Sequence, residues 1–142
     1  MTNEYYTPKI EDFYVGFEFV LWLNNSYWSK PRIWDYKTTA SLKIIEQNIN
    51  NQQVKVKYLD KEDIESLGFR RDMIKNTLVN NFIFYKDNIS LSFDNQINNL
   101  KISVLTKSKR TCDLFVGHIK NISELKLLLK QLEIENVINA TK

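Results

Sequence analysis

The sequence predicts an α+β fold: an antiparallel β-sheet, wound as a meander, with two or three short helices and the C-terminal helix packed on one sheet face. Three observations lead there. From Phe82 to Ile119, short β-branched and aromatic runs alternate with turns of 2–6 polar residues, the pattern of sequential antiparallel strands. Leu125, Leu128, Leu129 and Leu132 then fall on one stripe at helical spacing. The 142 residues are 43% hydrophobic and 13% aromatic, with 3 Gly and 2 Pro. That is enough apolar surface for a core and too few breakers for a linker-rich chain. At this length the expectation is a single domain over residues 1–142, with 1–9 and 135–142 as tails.

In chain order, Phe13 to Leu23 reads as a strand. Alternation puts Phe13, Val15, Phe17, Phe19 and Leu21 on one face, and Tyr14, Gly16, Glu18, Val20 and Trp22 on the other. Both faces are apolar, so the strand is expected to be central. Asn24-Asn25-Ser26 signals a turn, after which WSKPRIW can pair back as a hairpin. Thr38 to Ile49 is a helix candidate, capped by Thr38, Thr39 or Ser41, with Leu42, Ile45 and Ile49 inward. Val54 to Tyr58 alternates as a strand with one apolar and one basic face.

Leu59 to Phe69 is a punctuated short helix. Asp60 is its N-cap, Leu59 and Ile64 form a hydrophobic staple, and Gly68 supplies the left-handed end. Arg70 to Asn81 has no single pattern. Four strands follow: Phe82–Tyr85, Ile89–Phe93, Leu100–Leu105 and Leu114–Ile119. Ser123 is the expected cap of the last helix, with Ile122 and Leu127 stapling its entry.

The chemistry-bearing residues are few. Tyr27, Trp28, Arg32, Trp34 and Tyr36 interleave rings and cations in one loop. Such a mixture makes protein-interface anchors, single-strand nucleic-acid platforms or simply a roof over a core. Lys107, Lys109 and Arg110 gather at a hairpin tip, a candidate contact for phosphate or an acidic surface. Glu18, a lone charge among apolar neighbours, reads as a strand end or edge, or else as a functional acid. Cys112 is the single cysteine; beside Leu114 and Phe115 it reads as a packed thiol in a reducing compartment. Residues 112 and 118 on one strand stand roughly 20 Å apart, too far for a thiol–histidine pair. Glu62, Asp63 and Glu65 lack the spacing of a calcium loop. No catalytic constellation, metal set or cofactor motif emerges.

Net charge is +3, with 8 Lys/Arg against 10 Asp/Glu over residues 1–69 and 12 against 7 over 70–142. The basic half favours an acidic partner. The N-terminus is acidic and polar, unlike a secretory signal, and Phe13 to Leu23 is too short to span a bilayer. A cytosolic location without membrane insertion is expected.

Three segments, YTPKIEDFYVGFEF (Tyr6 to Phe19), VKYLDKEDIESLGF (within Val54 to Phe69) and FVGHIKNISELKLLLKQLEI (Phe115 to Ile134), resemble segments of short proteins of unknown function from Bacteroidetes bacteria and their phages. They cover about a third of the chain, in the same order. The resemblance implies a phage or mobile-element accessory protein, cytoplasmic in the host or virion-associated. Together with the aromatic loop, it sets the expectation of a non-enzymatic module that binds a protein partner. Nucleic-acid binding through the basic tip is the alternative.

Overall fold

The computed structural model describes residues 4–35, 41–72 and 81–132. Its fold is α+β, with two antiparallel sheets of five strands each and three α-helices among these residues. Contacts divide the chain into two compact units, Met1–Tyr58 and Leu59–Lys142, each with its own core. Where length leads one to expect a single domain, two separate apolar clusters form. Counted by unit, Lys/Arg against Asp/Glu run 7 to 6 and 13 to 11, so the charge asymmetry about residue 69 largely disappears.

In the first unit the strands are β1 (Tyr5–Tyr6), β2 (Glu18–Leu23), β3 (Tyr27–Trp28), β4 (Arg32–Ile33) and β5 (Val54–Lys57). β2 is central as expected, hydrogen-bonded to β3, β4 and β5, while β1 joins the far side of β5. The strand expected over Phe13 to Leu23 begins only at Glu18. Gly16, at φ +101°, turns the chain: Phe17 N–H donates to Tyr14 O at 2.9 Å, and Gly16 N–H to Trp34 O at 3.0 Å. That turn sends Phe13 and Phe17 together into the core and leaves Val15 exposed. Their rings meet at a tilt with centroids 4.8 Å apart, and Phe13 meets Phe19 edge-on at 5.2 Å. Asn24 and Asn25 both take positive φ, the requirement of the tight β2–β3 turn, which asparagine meets at low cost.

Helix α1 (Leu42–Asn50) is capped by Ser41, whose Oγ accepts from Ile44 N–H at 3.4 Å. The other cap candidates, Thr38 and Thr39, lie outside the described residues. Ile45 is fully buried and Ile49 packs beside it, but Leu42 is 43% exposed, so the apolar stripe is narrower than its spacing predicts.

The second unit is the expected meander. β6 (Arg70–Arg71), β7 (Asn81–Lys86), β8 (Ile89–Asp94), β9 (Asn99–Leu105) and β10 (Thr111–His118) pair in sequence order. Phe84, Leu91, Phe93, Leu100 and Ile102 face inward, where α2 (Lys61–Ser66) and α3 (Ile122–Gln131) contribute Ile64, Leu125 and Leu129. Asp60 caps α2 in a reciprocal box with Asp63, and Leu59 and Ile64 are both buried. Gly68, at φ +94°, ends that turn, and Lys86 Nζ donates to the free-ended Leu67 carbonyl at 2.8 Å.

Two expectations about the last strand and helix are corrected. The cap of α3 is Asn121, not Ser123: Asn121 Oδ1 accepts from Glu124 N–H at 2.8 Å, and Glu124 reaches back to Lys120 N–H at 2.8 Å. With the helix starting two residues earlier, Leu127 rotates out to 41% exposure and the Ile122–Leu127 staple is absent, while the leucine stripe holds. Cys112 is exposed rather than packed. It lies in the exposed first half of β10, opposite Val104; a β-bulge between Asp113 and Phe115 makes Leu114 the extra residue, and of this strand Phe115 packs on the core.

Candidate functional site

The outer face of the first sheet gathers three rings, from β1, β2 and β3, around a lysine of β5. β2 commits Phe19 to the core, so Glu18, Val20 and Trp22 take the opposite parity. β5 likewise buries Val54 and Val56 and turns Lys55 and Lys57 outward. Register then sets Val20 opposite Lys55, Trp22 opposite Trp28, and Tyr5 opposite Lys57. The result is a continuous row. Lys55 Nζ lies 4.0 Å from the Tyr5 ring centroid and 4.2 Å from that of Trp28. Trp28 meets Trp22 edge to face at 5.3 Å.

The backbone holds this row in place. Leu21 N–H donates to Ser29 Oγ at 2.9 Å, and Ser29 N–H donates to Leu21 O at 2.7 Å, which pins the chain immediately after Trp28. Each cation–ring contact stabilises by about 0.5–1 kcal/mol at a partly exposed site. Trp22, Trp28 and Lys55 are half-buried and Tyr5 is exposed, so the rings are preformed yet reachable.

Of the five loop residues singled out by sequence, only Trp28 belongs to this row. Trp34 is 2% exposed and packs in the core with Phe13, Phe17 and Phe19, which fits the reading of a ring that covers the core rather than a surface anchor. Tyr27 pairs with Leu23 and Arg32 with Phe19; both are exposed and of the opposite parity to Trp28. Tyr36 lies outside the described residues. Sequence reasoning missed Tyr5, Trp22 and Lys55 as site residues. The alternation had already put Trp22 on the face opposite Phe19 and Lys55 on the basic face of its strand, but only strand register brings them together.

In the second unit, Lys107, Lys109 and Arg110 are all exposed on the β9–β10 connection, as expected. Thr106 Oγ1 organises the tip, accepting from Arg110 N–H at 3.2 Å, while Lys109 closes it at φ +62°. The open face of this sheet carries a shallow depression of about 230 Å³ lined by Tyr85, Ser90, Ser92, Lys101, Ser103 and Asp113, among others. There Ser103 Oγ donates to Asp113 Oδ1 at 2.8 Å, and Lys101 stands 3.6 Å from the same carboxylate. Ser103 and Lys101 thus share the Asp113 carboxylate, while Ser92 Oγ donates to Asn81 Oδ1 at 3.2 Å.

The remaining singletons stay apart. Glu18 opens β2 opposite Ile33, the strand-end position expected. His118 ends β10 with Nδ1 3.0 Å from Ile97 O, at the opposite end of that strand from Cys112. Among the described residues, no group of three or more His, Cys, Asp or Glu could hold a metal ion. No helix there is long and apolar enough to cross a membrane. Compared with protein-family models, with curated proteins and with solved structures, the chain matches none.

Proposed function

We propose that the protein is a non-enzymatic interaction module whose first unit binds a protein partner through the Tyr5–Lys55–Trp28–Trp22 face. The observation that carries this reading is the row itself: three large rings, locked by a lysine and by strand register, on a partly exposed sheet surface. Tryptophan and tyrosine supply most of the energy at protein interfaces because they bury much area at little entropic loss. Preorganisation lowers that loss further. The same geometry weighs against stacking of nucleic-acid bases, since the Lys55 ammonium already covers one face of both Tyr5 and Trp28. The resemblance to phage and Bacteroidetes proteins supports an accessory role on a phage or mobile element, in the host cytosol or on a virion.

Affinity capture from infected-cell lysate tests the reading. A specific protein retained by the native chain and lost with Trp28→Ala, while Tyr27→Ala retains it, is the expected result. Retention by both variants contradicts it. Binding of single-stranded oligonucleotides that falls steeply with salt and requires Lys107, Lys109 and Arg110 would replace it with the nucleic-acid reading.

A further inference from the structure

Strand β10 is the outer strand of the second sheet. It pairs with β9 on one side, and among the described residues no strand pairs with the other. Its eight residues run about 27 Å at about 3.4 Å each. Such an edge is a template for another strand, and proteins usually blunt it with brevity, lysine, proline or a bulge. The opposite edge of this sheet, β6, is two residues long and both are arginine. β10 has only the bulge at Leu114. Thr111 to His118 contains no lysine or proline, and its one acid, Asp113, is directed to Ser103 and Lys101 on the sheet face. Leu114 and Val116 are 37% and 61% exposed.

We propose that β10 accepts an extended strand from a partner protein, one carrying acidic residues at the end that lies beside the hairpin tip. Backbone pairing supplies the attraction along the edge, and apolar alternate positions of the incoming strand cover Val116. Charge selects the partner. Exposed Lys107, Lys109 and Arg110 precede the strand, and exposed Lys120 follows it. Glu124, the acid nearest that far end in sequence, is turned back onto Lys120 N–H at 2.8 Å. Antiparallel pairing of two copies of β10 would set each basic tip against the other's His118–Lys120 end. Parallel pairing would set tip against tip. Like charges oppose a second copy in either arrangement and favour an acidic strand. This surface is distinct from the ring row of the first unit, so either can fail without the other.

Amide hydrogen exchange on the full chain tests the proposal. The probes are two peptides of alternating Thr and Val matched to the eight residues of β10, with an Asp-Glu pair at the N-terminus of one and the C-terminus of the other. One of them is expected to bind and slow exchange by tenfold or more at the β10 amides that β9 leaves unpaired. Combining Lys107→Glu with Arg110→Glu, which spares the turn-closing Lys109, should weaken it about tenfold. The same peptide N-methylated at alternate residues should not bind. The proposal is overturned if neither peptide binds, or if a lysine-flanked or N-methylated peptide binds equally well. It is also overturned if the β10 amides that do not pair with β9 are already protected in the free monomer, or become protected as chain concentration rises, which would reveal the chain itself as occupant.

Discussion

The two units build the same kind of sheet by opposite routes. In the second, each strand pairs with its sequence neighbour, β6 through β10 in order, so that short turns set every register. In the first, β2 pairs with β5 across α1, and β1 pairs with β5 from the far end of the unit, at Val20–Lys55 and Tyr5–Lys57. Non-local pairing closes longer loops and orders more chain before any contact rewards it. It also brings together residues that no local motif contains. The meander produces a regular scaffold with a serine-lined open face; the stitched sheet produces the ring row around Lys55.

The largest effects expected are on the two cores. Phe17→Ala removes a fully buried ring from the first unit and should cost about 3–5 kcal/mol; Leu91→Ala in the second should cost about 2–5 kcal/mol. All three tryptophans, Trp22, Trp28 and Trp34, lie in residues 1–58. Tryptophan fluorescence in denaturant therefore reads the first loss, and exchange of the β8 and β9 amides reads the second. A loss below about 1 kcal/mol at either site would break the assignment of that core.

Gly117→Ala comes next. A Cβ there would stand 2.8 Å from the Phe115 ring, which lies over the glycine on the inner face of β10. Displacing that ring should cost about 1–3 kcal/mol in denaturant stability. Smaller again are the caps. Asp60→Ala and Asn121→Ala should each cost about 1 kcal/mol, read as a lowered melting midpoint. An unchanged midpoint with Asn121→Ala would return the capping role to Ser123. Smallest is Lys101→Ala. Its pair with Asp113 is roughly half exposed on both sides, so no more than about 0.5 kcal/mol should be lost, and less at high salt.

The same contrast explains what could be read from sequence. The meander, the Asp60 cap, the Gly68 ending and the leucine stripe of α3 were legible because each depends on residues within a few positions of one another. Glu18 as a strand end, Trp22 on the face opposite Phe19 and Lys55 on a basic face were legible for the same reason. Where Phe13–Leu23 breaks was hidden in one glycine, Gly16, whose positive φ turns an apparent long strand into a turn plus a short one. The fate of Trp34 was equally hidden, since composition does not distinguish a ring that roofs a loop from one that joins a core. The exposure of Cys112 was hidden because it depends on where the strand outruns the core: Cys112 shares the parity of Phe115, opposite Val104, yet lies in the exposed first residues of β10. The ring row itself needed register between strands more than 30 residues apart, as at Val20–Lys55.

The central claim, that recognition resides on the outer face of the first sheet, is tested most directly by hydroxyl-radical footprinting of the chain alone and in its captured complex. Tyr5, Trp22 and Trp28 should lose most of their reactivity on binding, while Tyr85 on the open face of the second sheet stays unchanged. Full reactivity of Tyr5, Trp22 and Trp28 in the complex, with protection at Tyr85 instead, would contradict it.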